Sequence, residues 1–295
     1  MKEKSLFEGI IVAAITPFKK NGSIDKEGFR KNLQFLIKHD INGVVINGTA
    51  GEFFKLNLKE RQLLVEIASE EIQNKVNIYV GTGANSIQET LKLSKYAEKC
   101  NANGILVLSP YFIPPSFKEL ENYYKIISEN VDIPIALYNI PSKTGVNLMP
   151  IINHLILNAN IIAIKETTND LTEMVEIIRI TQGKLKVLIG HDLLVLPALI
   201  MGAHGAITPM PNLLTKKFSE LYNYWQIGDI TSAKTIQDEL YYFRSLYKHG
   251  TFPNVLKEAM NIVGLCGGYP RGPSMILSKD IKRDLTIVLK NLKLI

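Results

Sequence analysis

The chain has 295 residues, with 34 basic and 28 acidic side chains (a formal charge of +6), 46% hydrophobic and 21% charged residues. This is the composition of a soluble globular protein with apolar material for one large core or two ordinary ones. Only Cys100 and Cys266 are present, in no CxxC pair, which argues against a disulfide scaffold and a thiolate metal cluster, and two reduced, buried thiols are expected. No apolar run approaches the roughly 18 residues of a bilayer span, and Met1 to Glu8 contains no signal-peptide core, so a cytoplasmic setting is expected. Lysines and arginines are dispersed singly or in pairs without interleaved aromatics, which argues against a nucleic-acid partner. The positive balance suits a small anionic substrate.

Short β-like runs alternate with helical patterns along the chain. The first run, residues 10–16, precedes a helix whose Phe29, Leu33, Leu36 and Ile37 share one face; runs at 43–47 and 77–81 follow. Ser86 with Glu89, and Ser116 with Glu119, have the spacing of capping boxes, and between them lies a run at 104–109. The second box opens a helix with Phe117, Leu120, Tyr124 and Ile127 on one face, and further runs fall at 133–138, 161–165, 186–190 and 205–208. Eight apolar strands, each separated by a helix, predict a parallel sheet closed into a (β/α)8 TIM barrel over residues 1–225. An open doubly wound sheet is the other arrangement such a pattern allows. From 226 to 295 only helical patterns occur, at 231–246, 255–263 and 279–292, with a turn-rich joint at 267–273, which predicts a C-terminal helical extension.

A barrel of this kind places its chemistry at the C-terminal ends of its strands. The sixth run ends in Lys165, a single amine delivered by Ile161-Ile-Ala-Ile. An amine attacks a carbonyl only when neutral, and an apolar neighbourhood disfavours its charged form. The fifth run ends in Tyr138, followed by Asn-Ile-Pro-Ser-Lys143; the phenol can carry a proton if a hydroxyl such as that of Thr49 relays it, and Lys143 can pair with an anionic group. Thr49 and Ala50 lie in the turn Gly48 to Gly51 after the second strand, where exposed amides can hold a carboxylate, although an ordinary strand-to-helix turn has the same residues. His191-Asp192 after the seventh strand raises the possibility of a metal-dependent aldolase or of a simple helix cap; the chain has only five histidines, and no catalytic metal is expected. Gly81-Thr-Gly-Ala-Asn85 lacks both a full nucleotide fingerprint and a P-loop lysine, so no nucleotide, nicotinamide or flavin cofactor is expected. The eighth strand runs into Pro209 without a glycine-rich anion loop, which favours an unphosphorylated substrate.

Taken together, these motifs resemble the dihydrodipicolinate synthase and N-acetylneuraminate lyase family of class I, pyruvate-dependent aldolases. The likeness runs from Ile10 to Phe18 through Gly48 to Glu52, Gly81 to Asn85, Ser109-Pro-Tyr111, Tyr138 to Gly145 and Ile164-Lys-Glu166 to Gly205-Ala-Ile-Thr208. The resemblance implies a Schiff base between Lys165 and pyruvate, Tyr138 as proton carrier, Thr49 as its relay, and the Thr49 and Ala50 amides as the pyruvate carboxylate site. It also implies backbone carbonyls of Gly190 and Ile207 in the pocket, Tyr111 near substrate and a subunit contact, no cofactor, and a homo-oligomer, dimer or tetramer. Three departures concern the acceptor: Ala50 where the synthases usually carry a second Thr, Lys143 where they carry Arg, and Phe112 where they carry Tyr. Lys is a point charge where Arg is a fork, so that exchange is not neutral. The expected reaction is reversible aldol addition of pyruvate to a small aldehyde, leaning to a 2-keto-3-deoxy sugar acid, with dihydrodipicolinate synthesis from aspartate semialdehyde, neuraminate cleavage and a non-catalytic keto-acid-binding barrel as alternatives.

Overall fold

Strands apolar on both faces must be covered by helices outside and by one another inside. In the computed structural model, which describes residues 5–295, that requirement is met by a closed barrel. Met1 to Lys4, the head of the stretch in which no leader is expected, lie outside the described residues. The strands are β1 (Gly9–Ala13), β2 (Gly43–Ile46), β3 (Asn77–Gly81), β4 (Gly104–Leu108), β5 (Ile135–Asn139), β6 (Ile161–Glu166), β7 (Lys186–Ile189) and β8 (Gly205–Thr208). Each pairs in parallel with the next, and β8 returns to β1. The closing seam needs glycine, because a Cβ on Gly205 would stand 2.2 Å from the Gly9 carbonyl oxygen.

The intervening helices are α1 (Lys26–Leu36), α2 (Leu58–Ile72), α3 (Ile87–Lys99), α4 (Phe117–Glu129), the single turns α5 (Pro141–Thr144) and α6 (Ile152–Leu155), α7 (Leu171–Thr181), α8 (Val195–Ile200) and α9 (Pro211–Gln226). The extension is α10 (Ile230–Ser245), α11 (Asn254–Ile262) and α12 (Lys279–Asn291). Leu240, Phe243, Leu256 and Leu285 of the extension belong to the same buried cluster as the barrel strands, so it shares their core. No helix among the described residues is long and apolar enough to cross a membrane.

Several boundaries differ from the sequence pattern for identifiable reasons. β1 stops at Ala13: the Ala14 amide still reaches the Val45 carbonyl of β2, but that of Ile15 leaves the ladder and donates to the Asn212 side chain. β5 starts at Ile135 because Pro134 has no N–H to give and Ile133 donates to Glu98 instead. Ser116 and Glu119 form the full capping box, whereas Ser86 forms half of one: it accepts from the Glu89 amide, while the Glu89 carboxylate turns to Arg61 at 3.8 Å. Phe117 is not on the buried face of α4; it is exposed with its neighbours Phe112 and Ile113, while Leu120, Tyr124 and Ile127 pack inward. Cys100 and Cys266 are free but only half-buried, contrary to the expectation of two core thiols.

Extension and barrel are joined by charges that hydropathy does not reveal. Glu52, in the turn after β2, is fully buried with left-handed backbone (φ 56°). Its Oε1 accepts from Lys257 Nζ of α11 at 2.9 Å and its Oε2 from Lys55 Nζ at 2.8 Å. Lys257 spends its other donors on the carbonyls of Thr16 and Tyr269, and Lys55 on the Arg271 carbonyl and Ser274 Oγ, so both ammonium groups are saturated. Burial pushes the Lys257 ammonium below its ordinary pKa, and Glu52 opposes that shift. Arg271, from the turn-rich joint, lies over the Phe18 ring and forks onto Glu60 at 2.6 and 3.0 Å.

Removing one member of such a pair leaves a charge buried with half its compensation. Lys257→Met is expected to cost about 3 kcal/mol by urea unfolding, and adding Glu52→Gln to the same chain to restore part of it. A loss below about 1 kcal/mol would show that the pair is not an anchor.

Candidate active site

β5 and β6 set the centre of the site. Their register places Tyr138 beside Lys165 and Asn139 beside Glu166, so alternation sends one pair into the barrel mouth and the other away from it. Lys165 is 5% exposed and its Nζ stands 4.2 Å from the centroid of the Tyr138 ring. The Tyr138 hydroxyl is 3.2 Å from Thr49 Oγ1. Amine, phenol and threonine hydroxyl therefore form one connected line across three strand ends.

The strand end that carries the lysine is held by its other neighbour. Glu166 is fully buried; its Oε2 accepts from Asn139 Nδ2 at 2.7 Å and its Oε1 from the Thr168 amide at 2.7 Å. Burial pushes this carboxyl above its ordinary pKa, while the two donors oppose the shift. Asn147 extends the chain of contacts to Glu173 at 2.9 and 3.0 Å. Asn139 and Glu166 follow Tyr138 and Lys165 directly in sequence, and that adjacency was the available signal of their supporting role.

Gly190, just past β7, closes the back of the lysine. Its amide donates to the Glu166 carbonyl at 2.6 Å, and a Cβ there would fall 2.9 Å from Lys165 Cε and 2.6 Å from Thr167 Oγ1. Only glycine leaves that side chain its place.

A cavity of about 430 Å³ opens above the amine, and Thr49, Ala50, Tyr138, Lys143, Lys165 and Gly190 all lie in its wall. Two expected residues do not. Ile207 is fully buried within β8, and Pro209 instead brings that strand's end to the cavity. Tyr111 stands in an adjoining apolar cavity of about 530 Å³ that shares Thr49, Ile140, Lys143 and Phe252 with the first, its ring edge-on to Phe53 at 6.2 Å.

The far wall contains residues that sequence reasoning missed. Arg244 and Tyr247 come from the extension, where Arg-x-x-Tyr on a helical pattern reads as an ordinary amphipathic face; only tertiary packing brings them over the barrel mouth. His191 and Asp192 lie beside them. Burial pushes the Asp192 carboxyl up to about 6, against the Met210 amide at 3.1 Å on Oδ1 and the Arg244 guanidinium 3.7 Å from Oδ2. Burial, and Arg244 after it, push the His191 imidazole down. Among the described residues, no group of three or more His, Cys, Asp or Glu side chains could hold a metal ion.

An amine enclosed in this way, with a phenol against it and a hydroxyl behind the phenol, can condense with a carbonyl and exchange protons with the adduct. Gly190→Ala is expected to slow condensation of Lys165 with a 2-oxo acid by about 100-fold, since a displacement near 1 Å is enough for that. Borohydride trapping at fixed times measures it, and an unchanged rate would mean the lysine tolerates the methyl. Asp192 has a folded-state value above its ordinary 3.8, so its contribution to stability is complete below that value and is lost as pH rises through about 6. The melting temperature of Asp192→Asn relative to the unaltered chain should therefore climb between pH 4 and pH 7; a flat difference would remove Asp192 from the pH dependence.

The comparisons with known proteins agree with this geometry. The model of the dihydrodipicolinate synthetase family matches residues 6–292. A 4-hydroxy-tetrahydrodipicolinate synthase of Archaeoglobus fulgidus is 36% identical over 98% of this chain and 100% of its own, and one from Methanococcoides burtonii is 37% identical over 97% and 99%. Among solved structures, a prophage protein of the dihydrodipicolinic acid synthase family from E. coli K12, in complex with pyruvate, superposes with a TM-score of 0.94 at 30% identity over 99% of this chain and 100% of its own. The chloride-inhibited dihydrodipicolinate synthase of Acinetobacter baumannii, also complexed with pyruvate, gives 0.94 at 30% identity over 98% and 100%. With barrel, strand-end lysine and full-length similarity in agreement, the chain belongs to the dihydrodipicolinate synthetase family of class I, Schiff-base lyases.

Proposed function

We propose that this chain joins pyruvate to aspartate semialdehyde through Lys165. In this reading the Lys165 amine adds to C2 of pyruvate and water leaves, giving an iminium, while the Thr49 and Ala50 amides hold the pyruvate carboxylate. The iminium draws electrons from C3; Tyr138 takes a methyl proton, with Thr49 as its relay, and an enamine remains. C3 of the enamine attacks the aldehyde carbon, and Tyr138 returns the proton to the new alkoxide. The amine of the bound semialdehyde then closes on C2 and expels the Lys165 amine, releasing a cyclic product and the free enzyme.

The observation that supports this acceptor is the charge of the cavity wall. Besides Lys165 it holds two cations, Lys143 and Arg244, against the single buried carboxyl of Asp192, an environment suited to a second carboxylate. The relatives cited above, named as 4-hydroxy-tetrahydrodipicolinate synthases, weigh the same way. Together they outweigh the lean towards a sugar acid drawn from Ala50, Lys143 and Phe112.

One feature favours that second reading: Thr167 Oγ1 is buried at the cavity without a hydrogen-bond partner, and a hydroxyl of a 2-keto-3-deoxy sugar acid would satisfy it. A single set of measurements decides. Pyruvate with borohydride should add one reduced adduct, located by mass spectrometry at Lys165 and lost in Lys165→Ala. The kcat/KM for condensation with aspartate semialdehyde should exceed that for cleavage of 2-keto-3-deoxygluconate or N-acetylneuraminate by about 100-fold or more. No adduct at Lys165 defeats the mechanism, and the opposite ratio defeats the acceptor.

A further inference from the structure

Arg244 is a cation with one loose ion pair and no side-chain hydrogen bond at its Nε. Its Nε is buried with no hydrogen bond, and its nearest carboxylate, Asp192 Oδ2, is 3.7 Å away, beyond hydrogen-bonding distance. The guanidinium lies over the Tyr247 ring, with Cζ 4.6 Å from its centroid. The Tyr247 hydroxyl is also buried and unpartnered, and burial holds it well above its ordinary pKa, so it is a protonated donor. Both residues face the cavity that contains Lys165. A buried donor left unpaired is costly, and two side by side in a cavity wall point to an acceptor that arrives with a ligand.

We infer that Arg244 and Tyr247 form a subsite for a carboxylate on the tail of the aldehyde acceptor, so that acceptor specificity is read in part by the extension. This rests on the reading that the cavity admits an aldehyde beside the Lys165 adduct. A carboxylate is the favoured group because a planar guanidinium presents two parallel N–H donors to its two oxygens, with the phenol as a third donor. Asp192 is close enough to offset part of the arginine's charge but too far to occupy those donors. Lys143, the other cation of the wall, lies exposed on α5 and offers a point charge, whereas Arg244 is half-buried and offers a fork.

The test separates the two halves of the reaction. In Arg244→Ala, Arg244→Lys and Tyr247→Phe, the borohydride-trapped pyruvate adduct at Lys165 and the exchange of pyruvate methyl protons with D2O, both read without acceptor, should stay within about twofold of the unaltered chain. With aspartate or succinic semialdehyde as acceptor, kcat/KM should fall by about 100-fold in Arg244→Ala. Arg244→Lys should recover only part of that loss, because it keeps the charge and loses the fork. With propionaldehyde, which has no carboxylate, the variants and the unaltered chain should be alike. Equal losses for acceptors with and without the carboxylate, or no loss for either, would overturn the subsite while leaving the pyruvate chemistry standing. Should the unaltered chain form no adduct, the functional reading fails on its own, and the subsite is then judged by titration with succinate: binding at least about tenfold weaker in Arg244→Ala upholds it, and equal binding overturns it.

Discussion

The constraint on which the site depends is the buried charge of Glu52. A carboxylate withdrawn from water must be met by cations and hydrogen bonds at close range, and here it is met from two directions, by Lys55 of its own turn and by Lys257 of α11. Each lysine in turn needs three acceptors, and it finds them in segments distant in sequence: Thr16 after β1, and Tyr269, Arg271 and Ser274 in the joint of the extension. The turn bearing Thr49 and Ala50 ends at this carboxylate. The positions of those two residues are thus set by a contact that spans some 200 residues of chain, which explains how a turn of small residues can hold a fixed shape at the barrel mouth.

At the opposite side of the mouth the logic is repeated with neutral donors. Glu166 is buried beside Lys165, and the Asn139 amide and the Thr168 N–H satisfy its two oxygens. A strand end must direct one side chain inward and the next outward, so the residue after a functional lysine cannot share its cavity; it can only secure the backbone from behind. Glu166 does this, and Gly190, hydrogen-bonded to the Glu166 carbonyl, leaves the lysine its space. The amine is placed by a carboxylate that points away from it.

How much of this the sequence discloses follows from the range of the interactions involved. The eight strands, the (β/α)8 closure and the line Lys165, Tyr138, Thr49 are legible because they depend on local patterns: apolar runs, polar strand ends and short turns. Boundaries fail by two or three residues where a side chain captures a backbone amide, as Asn212 does at Ile15 and Glu98 at Ile133. The face of α4 is misjudged at Phe117 because periodicity marks which residues are apolar, not which find a neighbour. Arg244, Tyr247 and the Glu52 to Lys257 contact leave no trace in the local pattern, since their meaning arises only when α10 and α11 fold back over the barrel.

That division corresponds to a division of labour under the proposed reading. The barrel loops bring the amine, phenol and hydroxyl to one point, and these are the groups any chemistry on pyruvate requires. The far wall of the same cavity is built by α10 and the helical turn that follows it, elements that share the core of the barrel but supply none of its strands. A change in the extension can therefore alter what meets the pyruvate adduct without moving Lys165, Tyr138 or Thr49. Acceptor preference is for this reason hard to infer from the strand-end motifs alone: on the inference drawn above they fix the half of the reaction that is shared, while one cation that reads the other half stands on a helix outside them.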